Sequence, residues 1–378
     1  MRLKNDGENM REKKLVIIDD FFPSIVSNFR ITEFNYYMSI FPNCEVYSAL
    51  NENEFLKAYN EYVRVYPQFA GRVKQFNPYI MPKCSLFYTM FLNSAYFLTQ
   101  YFEREKTPFV FTLYPGGGLH LNDATCNNKL KRIFSSNVFK SVIVTQEIVY
   151  RYIVDNKFIA PDKIDYIYGI VDDSEYFRVN VQRKKRYGKD KGTFDICFVG
   201  GKYSEKGVDK GYDTFIEVCK KLITVSDKFR FHVVGGFNKS DIDVSSLNGN
   251  ITFYGYRAKD FFVNFYPSMD IILSPNVPFA RLDGEFDGFP TGCCVQAALC
   301  GTAVFSTDLL NLNRNFIDGK EIVIVNKDLD DIVYKIIYYV NDIKMLYELS
   351  ENGRKKFMSV FDTKSQIDRR IEILKRYL

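Results

Sequence analysis

The sequence predicts an α/β protein made of two doubly wound domains in tandem. Three observations lead there. Short β-branched and aromatic runs alternate with longer helical patterns through both halves of the chain. The alternation breaks at one charged segment, VQRKKRYGKDKG at 181–192, and then restarts. A length of 378 residues suits two domains.

In the first half, strands are expected at 15–18, 45–47, 109–113, 142–145 and 164–168. Helices are expected at 30–40, 52–63, 85–102 and 147–154. The aromatic run at 87–97 reads as helix core, with an edge that can stack on a sugar. Segment 181–192 reads as a solvated linker. Beyond it, strands are expected at 195–199, 230–234, 251–254, 271–274, 303–306 and 322–325. Helices follow at 212–222, 260–266, 293–299, 329–339, 343–350 and 365–377. Open parallel sheets bind ligands beyond the carboxyl ends of their strands, so a central cleft between two such domains is the expected binding place.

Composition narrows the function classes. Hydrophobic residues make up 46% and charged residues 26%, which excludes disordered and low-complexity chains. A net charge of +5 is too small to mark a nucleic-acid binder, yet it permits attraction to an anionic surface or a phosphorylated substrate. The eight cysteines form no C-x-x-C pair and read as reduced, in a cytosolic protein. Two histidines argue against a His-rich metal site. The polar start MRLKNDGENMREKK and the short apolar run after it do not make a signal peptide. No run approaches the ~20 apolar residues of a membrane span. The expectation is a cytoplasmic protein that touches a membrane only peripherally, at its inner face.

The most informative stretch is GEFDGFPTGCCVQAALCGTAVFSTD, 284–308. Acids at Asp283, Glu285 and Asp287 precede Gly288, Phe289, Pro290, Thr291 and Gly292, and an apolar helix follows. A helix N-terminus offers amides and a positive dipole end to an anion, while carboxylates suit sugar hydroxyls. Side by side they fit a sugar nucleotide; the plain alternative is a turn carrying solvated acids. A second stretch, FVGGKYSEKGVDKGYDTFIE at 198–217, places Lys202, Lys206 and Lys210 after a strand end, where a cation can neutralise a diphosphate leaving group. In the first half, Tyr114-Pro115-Gly116-Gly117-Gly118-Leu119-His120 follows another strand end. There His120 is either a helper at the reacting sugar or an ordinary loop histidine.

Together these blocks resemble the retaining GT-B glycosyltransferases of group 1, glycosyltransferase family four. The resemblance is carried by Phe198-Val199-Gly200-Gly201, Lys210-Gly211-Tyr212-Asp213, Phe231-His232-Val233-Val234-Gly235 and 251–255. Met269-Asp270-Ile271-Ile272-Leu273-Ser274-Pro275, 287–302 and Asp318-Gly319-Lys320-Glu321 complete it. It implies two Rossmann-like domains: an acceptor-side domain over 1–185 and a donor domain over 186–362. A last helix, 363–378, crosses back to the first.

The implied activity is transfer of a hexose or deoxyhexose from a nucleotide-diphosphate sugar to a saccharide or lipid-linked acceptor, with retention, in polysaccharide biosynthesis. No metal or other cofactor and no nucleic acid is implied. The diphosphate would meet Lys202, Lys210, Gly201, Thr291, Gly292 and Cys293. The donor sugar and ribose would meet Asp287, Gly288, Phe289, Pro290 and Gln296, and the nucleobase would lie by Tyr256 and Arg257. Asp287 or Glu285 is the sugar-holding acid.

The sequence departs from the family at the ribose. Gln296 stands where the family has its second glutamate, so Gln296→Glu is expected to restore a charged ribose acceptor. Two alternatives to transfer remain open: a nucleotide-sugar epimerase on the same fold, and a catalytically weak nucleotide-sugar-binding partner subunit.

Overall fold

The computed structural model describes residues 13–378. The polar start read above lies outside them up to residue 12. Among the described residues the chain forms two all-parallel sheets. The first sheet holds β1 (Leu15–Asp19), β2 (Glu45–Ser48), β3 (Val73–Gln75), β4 (Leu86–Met90), β5 (Phe109–Leu113), β6 (Phe139–Val144) and β7 (Ile164–Tyr166). Its order is 3-2-1-4-5-6-7. The second holds β8 (Phe194–Gly200), β9 (Phe229–Gly235), β10 (Ile251–Phe253), β11 (Ile271–Ser274), β12 (Ala303–Thr307) and β13 (Val323–Val325), in the order 10-9-8-11-12-13. The central strands β1, β4, β5, β11 and β12 are buried at every residue. Burial on both faces is what helices on both sides of a parallel sheet impose, and it explains continuous apolar runs in place of alternation.

The strand β4 corrects the helix expected at 85–102. Leu86–Met90 is a central strand between β1 and β5, and the helix begins only at Leu92. An unbroken run such as LFYTM carries no period to tell strand from buried helix. The break is at Phe91, whose φ of 65° turns the chain into the helix Leu92–Arg104.

Two compact units result. One is the chain up to Val171 together with Thr363–Leu378, the other Asp172–Asp362. The division falls at 171/172, earlier than the 185/186 expected from the charged run. The short helix Ser174–Asn180 packs on the helix Gly292–Leu299 of the second unit, and Gln182 and Lys185 donate backbone N–H groups to Val263 and Pro267. The charged run is also less solvated than its composition suggests. Lys191 reaches Asp195 (2.5 Å) and Asp270 (2.6 Å), and Lys184 donates to the Met269 carbonyl. Burial lowers Lys184 to about 8. Lys191 thus pairs with acids at the amino ends of β8 and β11.

In the first unit, the helix Thr363–Tyr377 packs on the helix Asn28–Ile40. It carries Arg370, which is 0% exposed, to Glu33, also 0% exposed, with 3.9 Å between Nε and Oε1. Arg370 donates to the Gln366 side chain (2.8 Å), while Tyr37 (2.8 Å), Tyr88 (2.5 Å) and Tyr114 (3.1 Å) donate to the Glu33 carboxylate. A buried ion pair is costly unless its other polar atoms are occupied; here the three tyrosines occupy the Glu33 carboxylate, while Arg370 Nε has no hydrogen-bond partner and faces Glu33 only across the 3.9 Å gap.

All eight cysteines are free thiols. No helix among the described residues is long and apolar enough to cross a membrane.

Candidate functional site

In the second sheet the strand order reverses between β8 and β11, which makes the carboxyl ends of these two strands the switch point where α/β sheets bind ligands. Each strand feeds one of the loops singled out in the sequence. The β8 loop runs through Lys202–Lys210 into the helix Tyr212–Val225. The β11 loop runs through Asn276 and Asp287 into the helix Gly292–Leu299. The two loops are joined by the Val277 N–H to the Asp209 carbonyl, 3.0 Å.

Gly211 makes the close approach possible. Its φ is +71°, and a Cβ there would lie 2.0 Å from the Pro275 carbonyl oxygen. Gly211→Ala is therefore expected to cost roughly 2–4 kcal/mol, from left-handed strain plus forced separation of the loops. Urea unfolding of the second unit measures it, and a variant as stable as the parent would show that the loops are not held together here.

Across this junction Lys210 Nζ meets both Asp287 oxygens, at 2.6 and 2.5 Å, and Asn276 donates to Asp287 Oδ2 at 2.7 Å. Burial works against the charge on Lys210, but Asp287 outweighs it and holds the ammonium above its ordinary value. A recess of about 40 Å³ opens beside the pair, lined in part by Asp287, Gly288, Phe289, Thr291, Ser306 and Asp308. Thr291 caps the helix Gly292–Leu299, and Val295 is the first residue of that helix to bond back, to the Thr291 carbonyl at 3.1 Å. The amides of Gly292, Cys293 and Cys294 therefore have no carbonyl partner within the helix. The Thr291 hydroxyl is 3.0 Å from the Cys293 sulfur, and hydrogen bonds from Cys294 and then Thr291 draw the Cys293 thiol below its usual range. Pro290 is buried behind this loop with Phe289.

The structure thus brings Asp287, Gly288, Phe289 and Thr291 to one recess, with Lys210 paired to Asp287 beside it and Gly292 and Cys293 at the adjoining helix start. Glu285 is taken by Arg281, 2.8 Å from Nε. Lys202 pairs with Asp241 at 2.7 Å, and its backbone N–H faces the Tyr256 hydroxyl at 3.5 Å. Lys202, Gly201, Tyr256 and Arg257 form a second group, in the loops that follow β8 and β10. The Tyr256 hydroxyl there would sit 2.8 Å from a Cβ on Gly236, and Arg257 lies over Phe261. His120 belongs to the first unit, where its backbone N–H donates to the Cys126 sulfur at 3.4 Å.

Sequence reasoning passed over Asn276, Asp209 and Tyr203. Tyr203 has Lys210 Nζ 5.1 Å from its ring centre. Asn276 alone carried a usable signal: a polar residue two places beyond the end of the strand Ile271–Ser274, before a proline-bearing loop.

Residues 193–342 match the family model described as glycosyl transferases, group 1. Among curated proteins, none matches this chain. Solved structures resemble it along nearly its whole length. Alr3699/HepE from Anabaena in complex with UDP-glucose is 13% identical with a TM-score of 0.71, covering 96% of this chain and 100% of that one. Sucrose-phosphate synthase from Thermosynechococcus elongatus is 13% identical with a TM-score of 0.64, covering 96% and 99%. WaaG, a glycosyltransferase involved in lipopolysaccharide biosynthesis, is 13% identical with a TM-score of 0.58, covering 95% and 99%. At such identities the likeness establishes the shared two-sheet fold.

Proposed function

We propose that this chain, whose second unit carries a group 1 glycosyl transferase domain on a GT-B frame, moves a sugar from a nucleotide-diphosphate sugar to an acceptor hydroxyl with retention of configuration. The observation that carries the reading is the Lys210–Asp287 pair at the switch point, next to open amides at the start of the helix Gly292–Leu299. One cation and one row of amides receive a diphosphate, and one carboxylate beside them receives sugar hydroxyls. The UDP-glucose bound by the Anabaena relative supports a donor of this class. The lipopolysaccharide role of WaaG supports a saccharide or lipid-linked acceptor. A lipid-linked acceptor would place the enzyme in the cytoplasm with peripheral contact at a membrane.

In this mechanism the departing diphosphate gathers negative charge as the glycosidic bond breaks. Lys210, with Lys202 and the open amides of Gly292, Cys293 and Cys294, stabilises that charge where it grows, which lowers the barrier instead of merely tightening binding. Asp287 holds donor-sugar hydroxyls and fixes the anomeric carbon. The acceptor attacks from the face the diphosphate leaves, and the leaving phosphate takes the acceptor proton. Gln296 faces the ribose, and Tyr256 and Arg257 border the base. His120 stays a candidate at the acceptor.

The test separates charge recognition from base recognition. Lys210→Ala is expected to weaken UDP by about tenfold to a hundredfold, the range of a charge-assisted contact, and uridine by no more than about twofold. Calorimetry reads both. Equal losses would remove Lys210 from the phosphates. A parent protein that binds none of UDP, GDP, ADP and dTDP would end the reading.

A further inference from the structure

The mechanism above uses one edge of the recess, Asp287. The remainder is lined by Val277 and Pro278 from the β11 loop and by Leu309, Leu310 and Leu312 beyond β12. Its volume of about 40 Å³ is the scale of one substituent on a sugar ring and not of the ring itself.

The side-chain donors around the recess are directed at protein groups. The Thr307 hydroxyl donates to the Asn276 carbonyl at 2.6 Å, and the Asn276 carboxamide donates to Asp287. The Ser306 hydroxyl donates to the carbonyls of Ser274 and Thr307, each at 3.3 Å. The acids are engaged too. Asp308 accepts the Leu312 N–H at 2.7 Å and the Asn313 N–H at 3.0 Å, one on each oxygen, and Asp209 accepts the Ser204 hydroxyl at 2.5 Å. These carboxylates could still accept from a hydroxyl. No side-chain donor remains for that hydroxyl's own oxygen, so a hydroxyl entering here gives up part of its hydration. A methyl group gives up none and gains contact with carbon.

The leucine pair is also held in place. Asn311 donates its N–H to the Asp308 carbonyl at 3.1 Å, which closes a four-residue turn with Leu309 and Leu310 at its centre. Turn centres usually carry Gly, Asn, Asp or Ser, and two half-buried leucines run against that preference.

From this arrangement we infer that the recess is a donor-sugar subsite for an apolar substituent. The donor carries a methyl group, on C5 of a 6-deoxyhexose or at the end of a 2-acetamido group. That methyl lies against Leu309 and Leu310 while Asp287 holds ring hydroxyls. The inference rests on the proposed nucleotide-sugar reading and narrows its donor class.

Calorimetry on the full chain tests it with sugars matched on one base: glucose, 6-deoxyglucose and N-acetylglucosamine on UDP, ADP and dTDP, and mannose with 6-deoxymannose on GDP. A methyl-bearing member is expected to bind at least about tenfold more tightly than the plain hexose on the same base. Preference for the 6-deoxyhexose assigns the methyl to C5, and preference for N-acetylglucosamine assigns it to the acetamido group. Affinities equal within about threefold, or tighter binding of the plain hexoses, overturn the inference; a bound bare diphosphate then leaves the nucleotide reading intact. A parent that binds none of UDP, GDP, ADP and dTDP overturns both. Leu309→Asn and Leu310→Asn, made separately, place the preference in the wall: at least one is expected to narrow it to about threefold or less. A preference unchanged in both variants overturns the placement of the methyl here. Should neither variant fold, the parent's own ranking of the donors decides.

Discussion

Replacing Asp287 by Asn is expected to cut sugar transfer by one to three decades while raising the affinity for free UDP. The two effects have one source. In the resting protein Lys210 spends its charge on Asp287, through contacts of 2.6 and 2.5 Å. A diphosphate must compete with that carboxylate for the same ammonium. Removing the charge ends the competition, so UDP gains. The donor sugar loses the charged acceptor that orients it, and a preorganised polar contact of this kind is worth roughly 2–4 kcal/mol in the transition state. Glu285→Gln serves as the comparison, because Glu285 is engaged by Arg281 and should transfer within about threefold of the parent. Transfer rates at saturating acceptor and UDP affinity by calorimetry settle it. If Asp287→Asn transfers at the parent rate and Glu285→Gln is dead, the acid is Glu285. If neither matters, this loop does not hold the donor.

The second large effect is on stability. Arg370→Met is expected to destabilise the first unit by about 3–5 kcal/mol, because it leaves Glu33 buried and without its cation. Tyr37, Tyr88 and Tyr114 would still donate to the carboxylate, but they carry no charge to offset it. Glu33→Gln combined with Arg370→Met should recover much of the loss, since a neutral buried site with its tyrosine bonds kept is cheaper than a lone charge. Urea unfolding followed by a probe in the first unit gives the comparison. An Arg370→Met variant that unfolds with the parent would show that the pair contributes nothing.

The alternation of short strands and helices was legible because each segment is bounded by turn residues, and strands at 109–113 and 271–274 coincide with β5 and β11. The edges of legibility have physical causes. Leu86–Met90 is buried on both faces, so its apolar run has no period. The charged run at 181–192 was read from composition alone, and composition does not show that Asp195 and Asp270 wait for Lys191. The site divides the same way. Glycines and acids before a helix announce an anion-binding turn from local chemistry. That Lys210 would be paired with Asp287, and Lys202 with Asp241, depends on loops from separate strands and had no local signal.

The last helix gives the chain an order of assembly during synthesis. Residues 172–362 are contiguous and can close on themselves as soon as they leave the ribosome, whereas the first unit waits for Thr363–Leu378. At translation speeds of ~5–20 residues per second, the wait after residue 171 is roughly 10–40 s. Throughout that interval the groove that will take Arg370 is unfilled, and Glu33 must keep its charge in water. The earlier-made half of the protein is therefore the later to finish, and a nascent chain stalled short of residue 370 offers that open groove to chaperones and proteases.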